Sequence, residues 1–138
     1  MIFKDFKSRM AVSVAKPITT VSDNTAIVSS IIDMQNVEGG FFAILSGTLA
    51  DADATFAVTM DEGETSNLAD ASAVSADEII TTYAAAGFTF AEDDTVKTIA
   101  YQGVKRYVRL TITPTANSGS APFAVLFVYA PKIRGTVY

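Results

Sequence analysis

Tyr101-Gln-Gly-Val-Lys-Arg-Tyr-Val-Arg-Leu-Thr-Ile-Thr-Pro114 is the stretch whose reading decides the fold. From Lys105 onward the side chains alternate. Val108, Leu110 and Ile112 fall on one face, while Tyr107, Arg109, Thr111 and Thr113 fall on the other. Period-2 alternation in β-branched and aromatic residues is the pattern of a strand with one face buried and one exposed. Gln102-Gly103 marks a turn before it. Pro114, which has no N–H to give a ladder, marks its expected end. The strand also carries Lys105, Arg106 and Arg109, three of the ten basic residues.

Working outward, the same logic yields further strands. Val96–Tyr101 precedes the stretch, behind the acidic turn Ala91-Glu-Asp-Asp94 and the short Phe88-Thr-Phe90. After the turn-rich loop Thr115–Pro122, Phe123–Tyr129 reads as a last, fully apolar strand. Nearer the N-terminus, Met10–Thr20 reads as a strand that Pro17 places at an edge, and Thr25–Asp33 as a second. Phe41–Thr48 is continuously apolar, lies beyond the Gly39-Gly40 loop, and reads as a central buried strand. In Thr55–Met60, Phe56, Val58 and Met60 share one face, and Asp61-Glu-Gly-Glu64 is expected to close the strand. Thr65–Ala76 has little to bury and reads as a long surface loop. Ser75-Ala-Asp-Glu78 resembles an N-cap followed by a first-turn Glu, and Ile79–Tyr83 either continues that turn or forms a short strand.

About eight short strands at roughly 8–15-residue spacing predict an all-β protein. The expected architecture is a single-domain antiparallel β-sandwich, jelly-roll-like or Ig-like, over residues 10–130. Residues 1–9 and 131–138 are expected to be extended terminal arms.

A chain of 138 residues can bury a core of ordinary size without staples. It has no cysteine, histidine or tryptophan. Thiolate and imidazole metal sites and the common nucleophilic triads are thereby excluded. No stretch approaches the roughly 18 apolar residues of a membrane-spanning helix. Met1–Arg9 has neither the apolar core nor the cleavage site of a signal peptide, so synthesis in a cytoplasm is expected. The net charge of −5 is unevenly spread. Fourteen acids and no Lys or Arg lie between Pro17 and Val96, while the flanking segments hold all ten basic residues and one acid, Asp5. Such asymmetry fits solvated acidic turns and complementarity with a partner or another copy.

The residues offer little chemistry. Asp51, Asp53, Asp61, Glu62, Glu64, Glu92, Asp93 and Asp94 are expected in turn-like clusters without an apolar pocket to raise a carboxyl pKa. No catalytic residue, cofactor or metal site is therefore expected. Asp51, Asp53, Thr55 and Glu62 match four positions of a helix–loop–helix calcium loop, but Phe56 stands where that loop needs Gly. Gly39-Gly40 precedes a strand rather than a helix, so it is no phosphate loop. Lys105, Arg106 and Arg109 beside Tyr101 and Tyr107 imitate a base-stacking sheet, yet the pI near 4.5 argues against nucleic acid. Tyr107 and Arg109 are expected to form cross-strand pairs or to meet a neighbour's acids. Neither nucleic acid nor membrane is an expected partner.

Three segments together carry a family resemblance. They are Phe41–Thr48 with Leu49-Ala-Asp-Ala-Asp-Ala-Thr-Phe56, then Gly103-Val-Lys-Arg-Tyr-Val-Arg-Leu-Thr-Ile-Thr-Pro114, and the closing apolar strand ending in Pro131. Over about residues 25–132 the chain resembles small head structural or decoration proteins encoded beside the major capsid protein in tailed bacteriophages. The resemblance implies a non-enzymatic β-sandwich, made in the host bacterial cytoplasm, that decorates or cements the outer capsid surface by binding the major capsid protein. It implies a homotrimer at local three-fold positions. The expected contacts to shell or neighbouring copies are the basic residues Lys4, Lys7, Arg9, Lys132 and Arg134 and the apolar anchors Phe3, Phe6 and Tyr138, with the acidic loops in solvent. The alternative is a tail, fibre or head–tail joining sandwich, glycan-binding modules included.

Overall fold

The computed structural model describes residues 7–132. Eleven strand segments form two antiparallel sheets: β1 (Ala11–Val21), β2 (Ile27–Val28), β3 (Ile32–Asp33), β4 (Val37–Ser46), β5 (Thr55–Gly63), β6 (Ser72–Ala73), β7 (Ile79–Ile80), β8 (Phe88–Thr89), β9 (Val96–Tyr101), β10 (Tyr107–Thr115) and β11 (Ala121–Pro131). One sheet runs β1-β11-β4-β9-β7. The other runs β2-β10-β5-β6, with β3 also on β10 and β8 also on β5. The chain is an all-β sandwich.

The pairings choose between the two expected topologies. β1 pairs with β11, β2 and β3 with β10, β4 with β9, and β5 with β8. The first half of the chain is thus laid antiparallel against the second and the double ribbon is wound across both sheets, which is jelly-roll winding. Eight positions make up this winding. The count rises to eleven because one position splits into β2 and β3, and β6 and β7 are added at the margins.

The core lies between the sheets, where alternate residues of each strand converge. Phe42, Ile44, Phe123, Val125 and Phe127 come from one sheet, and Phe56, Val58, Met60, Val108, Leu110 and Ile112 from the other, all essentially inaccessible. Three aromatic contacts hold the centre: Phe42 on Phe127 at 5.0 Å, Phe56 on Phe123 at 5.0 Å, and Phe88 edge-on to Phe123 at 5.3 Å. Phe127 also stacks on Tyr129. A Cβ at Gly40, which pairs with Tyr129, would run into the Phe127 ring, so glycine is required there by close approach.

Several local expectations change in the folded chain. The strand expected over Thr25–Asp33 is broken at Ser29–Ile31. There the Ser29 amide donates to the Leu110 carbonyl, its hydroxyl receives the Leu110 N–H, and the Ser30 amide turns to the Ala15 carbonyl in the other sheet. This crossing closes one edge of the sandwich. Pro114 does not end β10; it pairs opposite Phe56 inside the strand. The Leu110 N–H points to the β2 side, so by alternation Pro114 faces that side too, and β2 ends opposite Ile112. No ladder bond is lost. Gly39 and Gly40 lie within β4 rather than bounding it, and Asp61-Glu62-Gly63 continues β5. Ser75 does cap a 3-10 turn, Ala76–Glu78. Of the two options for Ile79–Tyr83 the short strand is realised, as β7 over Ile79–Ile80, and a four-residue helix, α1 (Tyr83–Ala86), capped by Thr82, follows it. The Tyr83 hydroxyl donates to the Val74 carbonyl at 2.7 Å and pins it to the body.

Two substitutions test this packing. Leu110→Ala, at a fully buried site, should lower the unfolding free energy by about 2–5 kcal/mol in urea titration. Gly40→Val should cost about 1–3 kcal/mol through overpacking against Phe127. Wild-type midpoints for both variants would contradict the assigned register.

Candidate functional site

One end of the sandwich gathers most of the chain's described positive charge. The register places the start of β1, the end of β11, the start of β4 and the end of β9 together there, since Ala11 pairs with Tyr129, Tyr129 with Gly40, and Gly40 with Tyr101. Both terminal segments leave the body at this end. A groove of about 760 Å³ opens between them, with Gly39, Phe41 and Ala100 in its floor and Met10, Val104, Lys105 and Lys132 in its walls.

The expected contact residues divide accordingly. Lys7 and Arg9 lie exposed in a 3-10 turn immediately before Met10, whose amide donates to the Lys7 carbonyl at 3.2 Å. Lys132 is exposed and anchored through its own amide to the Asn36 carbonyl at 2.9 Å. The structure therefore brings Met10 and Lys132 to one groove. Phe3, Lys4, Phe6, Arg134 and Tyr138 lie outside the described residues.

The remaining basic residues of the opening stretch are committed within the fold. Arg106 forms a two-pronged pair with Asp33 at 3.0 and 2.9 Å and lies over the Tyr107 ring. That bidentate contact holds the Asp33 carboxyl below its ordinary range. Being largely exposed and screened by solvent, the pair adds little to stability. Arg109 stands opposite Asp61 on β5 and contacts it at 3.4 Å, the cross-strand pairing expected of it. Lys97 reaches the Glu92 carboxylate at 2.7 Å and the Gly87 carbonyl, and lies over Phe88.

A buried acidic cluster sits behind the groove wall, and it corrects the expectation that every carboxylate lies in an apolar-free turn. Glu62 is a strand residue of β5 and is buried. The Tyr101 hydroxyl donates to its Oε2 at 2.5 Å and accepts from the Lys105 amide at 3.0 Å. Gly103 lets this happen, because a Cβ there would strike the Tyr101 ring. Glu78, at the end of the 3-10 turn, lies near Glu62, and its Oε2 is buried without a hydrogen-bond partner among the described residues. Burial raises the Glu78 pKa above 4.5, and the Glu62 carboxyl raises it further. The Tyr101 hydroxyl is pushed up by burial and by the same carboxylate. Neither Glu62 nor Glu78 lines the groove, so the pair ties β5 to the β7–β9 edge rather than facing a ligand. Spacing offered no signal for it: Glu62 and Tyr101 are 39 residues apart.

The opposite end is acidic. Asp23, Asp51, Asp53, Glu92, Asp93 and Asp94 lie in its turns, and among the described residues Lys97 is the cation there. These carboxylates brace loops. Asp51 accepts from the Ser118 amide at 2.7 Å, the Ser118 hydroxyl at 2.9 Å and the Asp53 amide at 2.9 Å, which holds its pKa down. Asp93 accepts from the Leu49 amide at 2.8 Å. Among the described residues no three acids converge as a metal site, and no helix is long and apolar enough to cross a membrane.

No family model matches the chain, and no curated protein matches it in sequence. Among solved structures the chain is similar to the PBSX exported protein XepA, with a TM-score of 0.55 and 13% identity over 93% of this chain and 39% of that one. It spans about two fifths of that phage-related protein. Weaker likenesses are to the Yersinia pseudotuberculosis-derived mitogen (TM-score 0.38, 10% identity, 93% and 89% coverage) and to the Clostridium thermocellum xylanase 10B CBM22-1-GH10 modules complexed with xylohexaose (TM-score 0.42, 10% identity, 94% and 27% coverage). The XepA likeness is one of fold, the β-sandwich.

The carboxyl pair yields a pH test. Because the Glu78 pKa is raised on folding, its favourable contribution is complete below 4.5 and is lost as pH rises through the folded value. Glu78→Gln should therefore raise the melting temperature at pH 7–8, with the gain disappearing by pH 4. A gain of equal size at every pH would contradict the raised Glu78 pKa.

Proposed function

We propose that this protein is a non-enzymatic virion component that decorates or cements an assembled phage shell by binding its major capsid protein. One observation carries the reading. Both terminal segments leave a rigid jelly roll at the same end, beside a groove walled by Lys105 and Lys132 and next to the exposed Lys7 and Arg9. The far end presents acids to solvent. A body whose two terminal segments lie at one end can be seated on a surface by that end, which carries Glu38 and the acids of β5 as well as the lysines. The fold likeness to a phage-related protein supports a virion setting. Fold alone leaves the site to argue function, and here the site is an open groove at the end where the described terminal residues lie.

In this reading the protein is made in the host bacterial cytoplasm and acts on the capsid outer surface as a homotrimer. Phe3, Lys4, Phe6, Lys7, Arg9, Lys132, Arg134 and Tyr138 supply the contacts. Three copies of a weak contact sum to a lasting one. Neither nucleic acid nor membrane is a partner. The second reading, a tail, fibre or glycan-binding module, draws on the fold class, in which carbohydrate-binding sandwiches are found.

Deleting residues 1–9 should leave the melting temperature of the body unchanged and weaken co-sedimentation with purified shells by about 10²-fold or more. Lys132→Glu should weaken it less. Unchanged shell binding by both variants would overturn the arm-end docking.

A further inference from the structure

The central strands of the five-stranded sheet are apolar on both faces, and only one face packs the core. The outward positions of β11, of β4 from Gly39 to Leu45, and of β9 hold no charged residue. Cross-strand partners make the surface continuous, with Val12 opposite Val128, Val14 opposite Leu126, and Leu45 opposite Val96. Val12, Val14, Leu126, Leu45, Val96 and Ile80 are each between 38% and 61% exposed in the single chain. An apolar run that fills both faces of a strand is the pattern of a sheet covered on both sides. Among the described residues nothing covers the outer face.

We propose that a second copy of this chain supplies that cover, so that copies associate through the outer face of the β1-β11-β4-β9-β7 sheet. Three considerations select a second copy. Four strands at about 4.8 Å spacing and about eight residues' length present roughly 500 Å² per copy. Two such faces together remove about 1,000 Å² or more, the threshold of a specific protein interface. Sheets pack face to face when their twists agree, and an identical sheet agrees by construction. The face also lacks charge, whereas the whole molecule carries −5. Two copies can therefore meet here without placing like charges opposite each other. The inference rests on the self-association in the preceding reading and not on the shell.

The test is sedimentation velocity on the isolated full chain, from low to high micromolar concentration and with no shell present. Wild type should sediment as a dimer or trimer. Val14→Glu combined with Leu126→Glu should weaken association at least tenfold, because both charges enter the buried centre of the face. The milder pair Val12→Thr and Val14→Thr keeps side-chain shape and guards against a folding defect, with circular dichroism as the check. Thr113→Glu, on the other sheet, should change nothing. A wild-type monomer throughout the range overturns the proposal, and so does an oligomer that survives the Glu pair.

Discussion

The fold depends on a seam of five phenylalanines between the sheets. Phe42, Phe123 and Phe127 come from β4 and β11, and Phe56 and Phe88 from β5 and β8. With no disulfide available, and no cluster of acids fit to hold a metal among the described residues, burial of these rings and their aliphatic neighbours is the main source of stability. Their positions also fix the winding. Phe123 meets both Phe56 and Phe88, which places the last long strand over the β5–β8 pair. A one-residue slip of β11 would turn Phe123, Val125 and Phe127 outward together.

That seam explains which features could be read in advance. β10 was legible because its alternation records one buried and one wetted face, and the fold follows that pattern through Val108, Leu110 and Ile112. β9 was legible over its full length for a related reason. The apolar runs of β4 and β11 revealed strands but not what lies on their second face, since continuous hydrophobicity does not distinguish a covered sheet from an uncovered one. The break between β2 and β3 depends on where Ser29 meets Leu110, a contact between residues 81 apart in the chain. Pro114 misled because its effect depends on which neighbour its nitrogen faces.

The candidate site was partly legible. Uneven charge pointed to the two terminal segments, and the fold places their described residues Lys7, Arg9 and Lys132 at one end. The groove between them is a product of register and has no local signature. The Glu62–Glu78–Tyr101 cluster was hidden for the same reason, and it shows how a buried carboxyl arises from topology rather than from neighbouring sequence. Two surfaces thus remain for partners, a charged end where the described terminal residues lie and an uncharged sheet face, and they adjoin at Gly39, Phe41, Ile80 and Ala100, which line the groove and belong to that face.

The most direct test of that account is the number of copies per particle, measured by quantitative mass spectrometry against the major capsid protein in virions of the encoding phage. Shell decoration predicts copies in the hundreds, in simple ratio to the capsid subunit. A handful of copies would point to a tail or connector position, and absence from the particle would contradict the virion reading outright.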